Sequence, residues 1–148
     1  MNREESEDVA TSGQAIRGSK RLKRRALLST QNNPDPDRDY LVHLELTFEL
    51  SRSDLPSVRL QLHYVPDRLV LLPDSLNNYF KALAGTNWET MESLGAELIT
   101  DLANELVPRW IQVELTHMRQ GVGEHRVVLD DRQPGWDNPI FLGRLSTL

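Results

Sequence analysis

Two pairs of alternating apolar and polar stretches enclose a double helical stretch in this chain, and that order restricts its possible architectures more than any other feature. Leu44, Leu46, Phe48 and Leu50 fall on one side of an extended segment, with His43, Glu45, Thr47 and Glu49 on the other. This is the period of a half-buried strand. After a loop from Ser51 to Ser57, Val58 to Tyr64 alternates in the same way. Pro66-Asp67 reads as a turn and Leu69 to Leu72 as a short extended piece. Asp74 or Ser75 is placed to cap a helix running to about Ala84, with Gly85 at its end. Thr86 and Glu89 have capping-box spacing ahead of a longer helix. In that helix Met91, Leu94, Gly95, Leu98, Ile99, Leu102, Ala103 and Leu106 recur at the helical period until Pro108 stops it. Trp110 to Met118 and Val122 to Leu129 alternate again, with Arg119-Gln120-Gly121 at the bend, and the chain closes on the turn-rich Pro134-Gly135-Trp136-Asp137-Asn138-Pro139. Close-spaced strand pairs predict antiparallel hairpins. The expected class is α+β: a four-stranded antiparallel sheet with two helices packed on one face, in the order ββααββ. Such a sheet has open edges, which proteins often manage by pairing with another subunit.

The net charge of −5 is unevenly spread. Residues 1–36 carry Arg3, Arg17, Lys20, Arg21, Lys23, Arg24 and Arg25 against Glu4, Glu5, Glu7, Asp8 and Asp35, which leaves an acidic remainder. That first stretch is polar, lacks an apolar period and ends in Asn32-Asn33-Pro34-Asp35-Pro36. It is expected to be a disordered tail, with the folded domain at 37–148. Its basic cluster from Arg17 to Arg25 reads first as a solvated leader, with contact to RNA or a partner chain as the alternative. No apolar run reaches the roughly 18 residues of a membrane span. Met1-Asn2-Arg3-Glu4-Glu5-Ser6 does not read as a secretory signal. A cytoplasmic location is the expectation.

The chain contains no cysteine, which removes thiolate nucleophiles, disulfides and thiolate metal sites together. His43, His63, His117 and His125 show no metal-ligand spacing, although His43 and His63 are placed to meet across paired strands. Gly121-Val122-Gly123 lacks the third glycine of a phosphate cradle. Ser51 and Ser53 lie near Asp54 with no histidine spaced to activate them. Glu92, in the first turn of the long helix, has two readings. One is a carboxylate complementing the helix dipole; the other is a carboxylate accepting two N–H donors from a purine-like or pterin-like ring.

Several short runs occur together in order: Tyr64-Val65-Pro66-Asp67-Arg68, Ser75-Leu76 with Tyr79-Phe80, Pro108-Arg109-Trp110-Ile111-Gln112-Val113, Arg119-Gln120-Gly121 and Pro134-Gly135. With them, the chain resembles the NADPH-dependent 7-cyano-7-deazaguanine reductases (QueF) of queuosine biosynthesis over about residues 44–136. The resemblance implies the tunnelling fold (T-fold), a homo-oligomeric ring, purine or pterin sites between subunits, and a role in tRNA modification. It also implies a cysteine just after the first strand that adds to the nitrile, followed by an aspartate that handles protons. Here that stretch is Phe48-Glu49-Leu50-Ser51-Arg52-Ser53-Asp54, so Asp54 takes the aspartate's place and no residue takes the nucleophile's. The family's NADPH motif is a Glu-Ser-Lys-Ser run; here Pro73-Asp74-Ser75-Leu76-Asn77 has lost the lysine. The family's His-Glu pair becomes Met91-Glu92, which keeps the base-holding glutamate alone. Taken together, these changes imply a divergent member that does not reduce a nitrile by itself. The remaining possibilities are a bound 7-deazapurine or pterin, altered acid/base chemistry through Asp54 and Glu92, or an interaction subunit whose partner supplies the cysteine.

Overall fold

The computed structural model describes residues 20–50, 57–119 and 121–145. Residues 20–25 are helical (α1). They are followed by β1 (Thr30–Asn32), β2 (Val42–Phe48), β3 (Val58–Val65), β4 (Leu69–Leu71), α2 (Ser75–Ala84), α3 (Met91–Leu106), β5 (Trp110–Arg119), β6 (Gly123–Arg132) and α4 (Pro139–Leu145). Strands β2, β3, β5 and β6 form one antiparallel sheet in the order β2-β3-β5-β6. With α2 and α3 against one face, this is the ββααββ arrangement of the T-fold.

Alternation decides which residues meet the helices. Leu46 opposes Leu60, Leu60 opposes Leu115, and Leu115 opposes Val127, so one continuous row crosses all four strands. Leu44, Leu62, Val113 and Leu129 make the next row. On these rows α3 lays Leu94, Leu98 and Leu102, each fully buried, and α2 lays Tyr79 and Leu83. Gly95 allows α3 to approach closely: a Cβ there would stand 2.7 Å from Leu129 Cδ1. The helix is capped by Thr90, whose hydroxyl accepts from the Ser93 N–H at 3.1 Å, so the N-terminus lies four residues beyond the Thr86 cap read from the sequence. At the start of α2, Asp74 occupies the N-cap without a side-chain bond, and Ser75 instead donates to the Leu72 carbonyl at 2.7 Å.

The described part of the expected tail is a correction to the sequence reading. Residues 20–36 belong to the folded unit. Strand β1 pairs with β4, Leu28 is buried in the core, and Asn33 donates through Nδ2 to the Asp67 carbonyl at 2.7 Å. The stretch looked unstructured because its anchors are polar. Arg24 is buried with its Nε 2.7 Å from Asp101, Arg25 binds Glu105 at 2.9 Å, and Arg21 binds Glu97. Two further elements lie in stretches read as turns or ends: α4, and the last rungs of β6 out to Arg132.

Residues of the resembling runs form a structural hub. Arg109 donates through Nη1 to Asp39 at 3.0 Å and through Nη2 to the Pro36 carbonyl and Asp67. Gln133 reaches Asp67 at 3.0 Å and the Val107 carbonyl at 3.0 Å, and Asn138 binds Asp39 at 2.8 Å. One guanidinium thereby ties the 36–39 loop, the β3–β4 turn and the start of β5 together.

Candidate functional site

The apolar interior ends one row beyond Leu60, Leu115 and Val127. In that last row Phe48 opposes Val58 and His117 opposes His125, all on the helix-covered face. Two imidazoles therefore stand where the period calls for core residues. His117 is almost fully buried and its Nδ1 lies 2.7 Å from the Ser57 carbonyl, so that nitrogen carries the hydrogen. His125 lies under the N-terminus of α3, with Nε2 3.0 Å from Glu92 Oε1. A hydrogen bond from the Glu92 backbone N–H, then the bond from His125, hold the Glu92 carboxyl below the usual carboxylate range. Glu92 is thus a charged, exposed acceptor at the positive end of a helix.

Of the two site residues expected from the sequence, Glu92 is at this end of the sheet and Asp54 lies outside the described residues. The chain leaves β2 at Phe48 and enters β3 at Val58, both in the row that holds His117 and His125. His117 and His125 were missed as site residues. A signal was present, since each continues the inward alternation of its strand, from Leu115 and from Val127. The cross-strand register that brings His125 under Glu92 was not readable.

The opposite face, away from α2 and α3, carries a separate cavity of about 610 Å³ whose lining includes His43, His63, Trp110, Gln61, Gln112 and Glu114. His43 and His63 do meet there, stacked at 4.3 Å. Burial, then the neighbouring His43, push the His63 imidazole below its ordinary value. The arginines at this cavity are taken up by acids: Arg59 by Glu45, and Arg126 by Glu124 and Glu114. Among the described residues no three His, Asp or Glu side chains converge as metal ligands.

The stretch that replaces the NADPH motif does not fit a cofactor phosphate. Leu76 is buried in the core, Ser75 accepts from the Ser29 N–H at 3.0 Å, and Pro73 to Asn77 contain no cation. The described arginines of the basic cluster are likewise engaged. Arg21, Arg24 and Arg25 are ion-paired to α3, which removes much of the charge that an RNA phosphate would need. Among the described residues no helix is long and apolar enough to cross a membrane.

No protein-family model matches the chain. The NADPH-dependent 7-cyano-7-deazaguanine reductase of Acidithiobacillus ferrooxidans is similar to it, with 30% identity over 124 residues, 79% of this chain and 85% of that protein. The protein of the same description from Nitrosococcus oceani is 30% identical over 116 residues, 76% of this chain and 89% of its own. Among solved structures, the archaeosine synthase QueF-Like in its apo form aligns with a TM-score of 0.49 and 22% identity, covering 62% of this chain and 92% of that one.

Proposed function

This chain belongs to the NADPH-dependent 7-cyano-7-deazaguanine reductase family, and on that premise we propose that it is a divergent member that binds a 7-deazapurine or pterin base without reducing a nitrile by itself. The observation that carries the reading is the Glu92 carboxylate: charged, exposed, and fixed at the helix N-terminus by His125 at 3.0 Å. A carboxylate so held is an acceptor for the N–H edge of a base. Nitrile reduction of the family's kind starts with a thiolate, and the chain has no cysteine to supply one. Ser51 or Ser53 would be a poor substitute, because a serine hydroxyl is a far weaker nucleophile at neutral pH than a thiolate. Within this reading Asp54 is the residue that would handle protons, and a partner chain is the source of any missing thiolate. The chain's place is then in queuosine-type tRNA modification, as a base-binding subunit that assembles through the β2 and β6 edges into a homo-oligomer.

Calorimetric titration of the full chain with 7-cyano-7-deazaguanine tests it. Measurable binding that weakens at least about tenfold in Glu92→Gln, the loss expected for one hydrogen bond to a charged group, is the predicted result. No heat of binding, or an affinity indifferent to Glu92→Gln, would discard the reading.

A further inference from the structure

On the sheet face away from α2 and α3, the two central strands half-bury polar side chains. His63 opposes Gln112 and, on the next rung of that face, Gln61 opposes Glu114. These four line the cavity of about 610 Å³, a volume within the roughly 300–1,000 Å³ of small-molecule sites. Its charges cancel locally. Arg126 binds Glu114 at 3.1 Å, Arg59 donates to Glu45 at 2.7 Å, and burial, then His43, keep the His63 imidazole neutral near neutral pH. The hydrogen-bonding capacity, by contrast, is unspent. Among the described residues the Gln61 and Gln112 amides have no hydrogen-bond partner yet stay accessible, and His63 Nδ1 is buried without one. Half-buried polar groups are normally satisfied by protein or ordered water, so three unengaged ones side by side point to something that takes them up. One rung beyond His63 and Gln112 the lining turns apolar: Trp110 opposes Val65, and Leu41 and Leu145 of α4 complete that end.

We propose that this cavity is a binding site for an uncharged planar heterocycle with a cyclic amide, whose N–H and C=O bond the Gln61 and Gln112 carboxamides while its ring packs at the Trp110 end. A carboxamide offers a donor and an acceptor side by side, and a cyclic amide offers the same pair in reverse. An anion finds no unpaired arginine here to offset its lost hydration. A hydroxyl-rich ligand would leave some of its hydroxyls unpaired against Leu41, Trp110 and Leu145. The site lies across the sheet from Glu92 and does not depend on what that carboxylate binds.

Uracil is the probe, because it is flat, uncharged at neutral pH and carries the amide edge. 1,3-Dimethyluracil keeps the ring and carbonyls but has no N–H, and orotate adds a carboxylate. Each is titrated into the ¹⁵N-labelled full chain while the Trp110 indole and the Gln61 and Gln112 side-chain amide signals are followed. Uracil should shift these signals, dimethyluracil should bind at least about tenfold more weakly, and orotate should bind no better than uracil. Gln112→Met, of similar length but without the amide, should weaken uracil about tenfold with circular dichroism unchanged, whereas Glu92→Gln should leave uracil binding as it is. Gln61→Met makes the same test if Gln112→Met does not fold. Uracil without effect on these signals up to its solubility limit, orotate binding more tightly than uracil, or an affinity indifferent to both glutamine variants would each overturn the proposal. Signals that move with protein concentration and not with uracil would assign the cavity to a second copy of the chain and overturn it as well.

Discussion

Val107 ends α3 in the left-handed region, at φ 45° and ψ 54°, which a β-branched side chain rarely adopts. Strain of this kind often marks a functional site, but its position argues otherwise here. Val107 sits at the C-terminus of α3, the end away from Glu92, and its carbonyl is held by Gln133 beside the Arg109 hub. The strained residue turns the chain from α3 into β5 within three residues, which brings Trp110 into register with Val65. Its side chain is 55% exposed, so little packing depends on it. The left-handed conformation costs a non-glycine residue roughly 1–2 kcal/mol, and glycine's extra freedom in the unfolded chain gives back part of that gain. Val107→Gly should therefore stabilise the chain by about 1 kcal/mol and raise its melting temperature by a few degrees, with ligand affinity unchanged. Thermal unfolding followed by circular dichroism would reveal it, and a fall in the melting temperature would show that the side chain packs better than its exposure suggests.

Segments differ in how far their sequences announce them, and α1 and α3 lie at opposite extremes. The apolar residues of α3 recur at the helical period because the helix is held by burial, so its face is written in the order of residue types. Helix α1 is held by charge. Arg21, Arg24 and Arg25 meet Glu97, Asp101 and Glu105, which follow one another at one-turn spacing on α3. A basic cluster and an acidic helix face each look solvated until the fold puts them together. The central rung is the deepest: Asp101 is fully buried and accepts from both Arg24 Nε and the Tyr79 hydroxyl on the same oxygen. Burial is the largest single influence and disfavours the Arg24 charge, but the hydrogen bond and charge of Asp101, with Tyr79 and Glu97, together outweigh it and hold the guanidinium above its ordinary value. Removing the cation leaves a buried carboxylate with only a tyrosine, which costs about 3–5 kcal/mol. Arg24→Met should lower the urea midpoint accordingly, whereas Arg21→Met, whose side chain is 48% exposed, should cost under about 1 kcal/mol. Equal effects would mean that the ladder acts by general charge attraction. The same physics explains what was hidden at the candidate site. Glu92 was legible as a first-turn carboxylate, but His125 is 33 residues away and reaches it only through the register of β5 with β6.

At the scale of the molecule, among the described residues both outer strands of the sheet carry an unpaired edge, since β2 and β6 each pair on one side only. Strand β6 is the more exposed problem. It is ten residues long, Val128 is 51% exposed in its middle, and Met118 and Val122 are 69% and 79% exposed where the β5–β6 hairpin turns. A long edge with apolar side chains invites pairing with another chain. Its neighbours Glu124, Arg126, Asp130, Asp131 and Arg132 supply charges of both signs, which favours a defined partner surface over indiscriminate association. The edge begins at the Glu92 corner, so a second copy seated along it would lie against the candidate site, and base binding and assembly would then depend on one another. Light scattering should accordingly give a particle that is a whole-number multiple of the 17.0 kDa chain. Val128→Lys, which sets a charge on the face of the edge strand away from α2 and α3, should shift it to the monomer while circular dichroism stays unchanged, because Val128 is 51% exposed. If assembly places a second copy against Glu92, the same variant should also lose affinity for 7-cyano-7-deazaguanine by tenfold or more, on the order of 1.4 kcal/mol. A monomeric wild-type chain, or a Val128→Lys oligomer of unaltered mass, would show that this edge is protected in some other way. A monomeric variant with full affinity would instead place the complete base site within one chain.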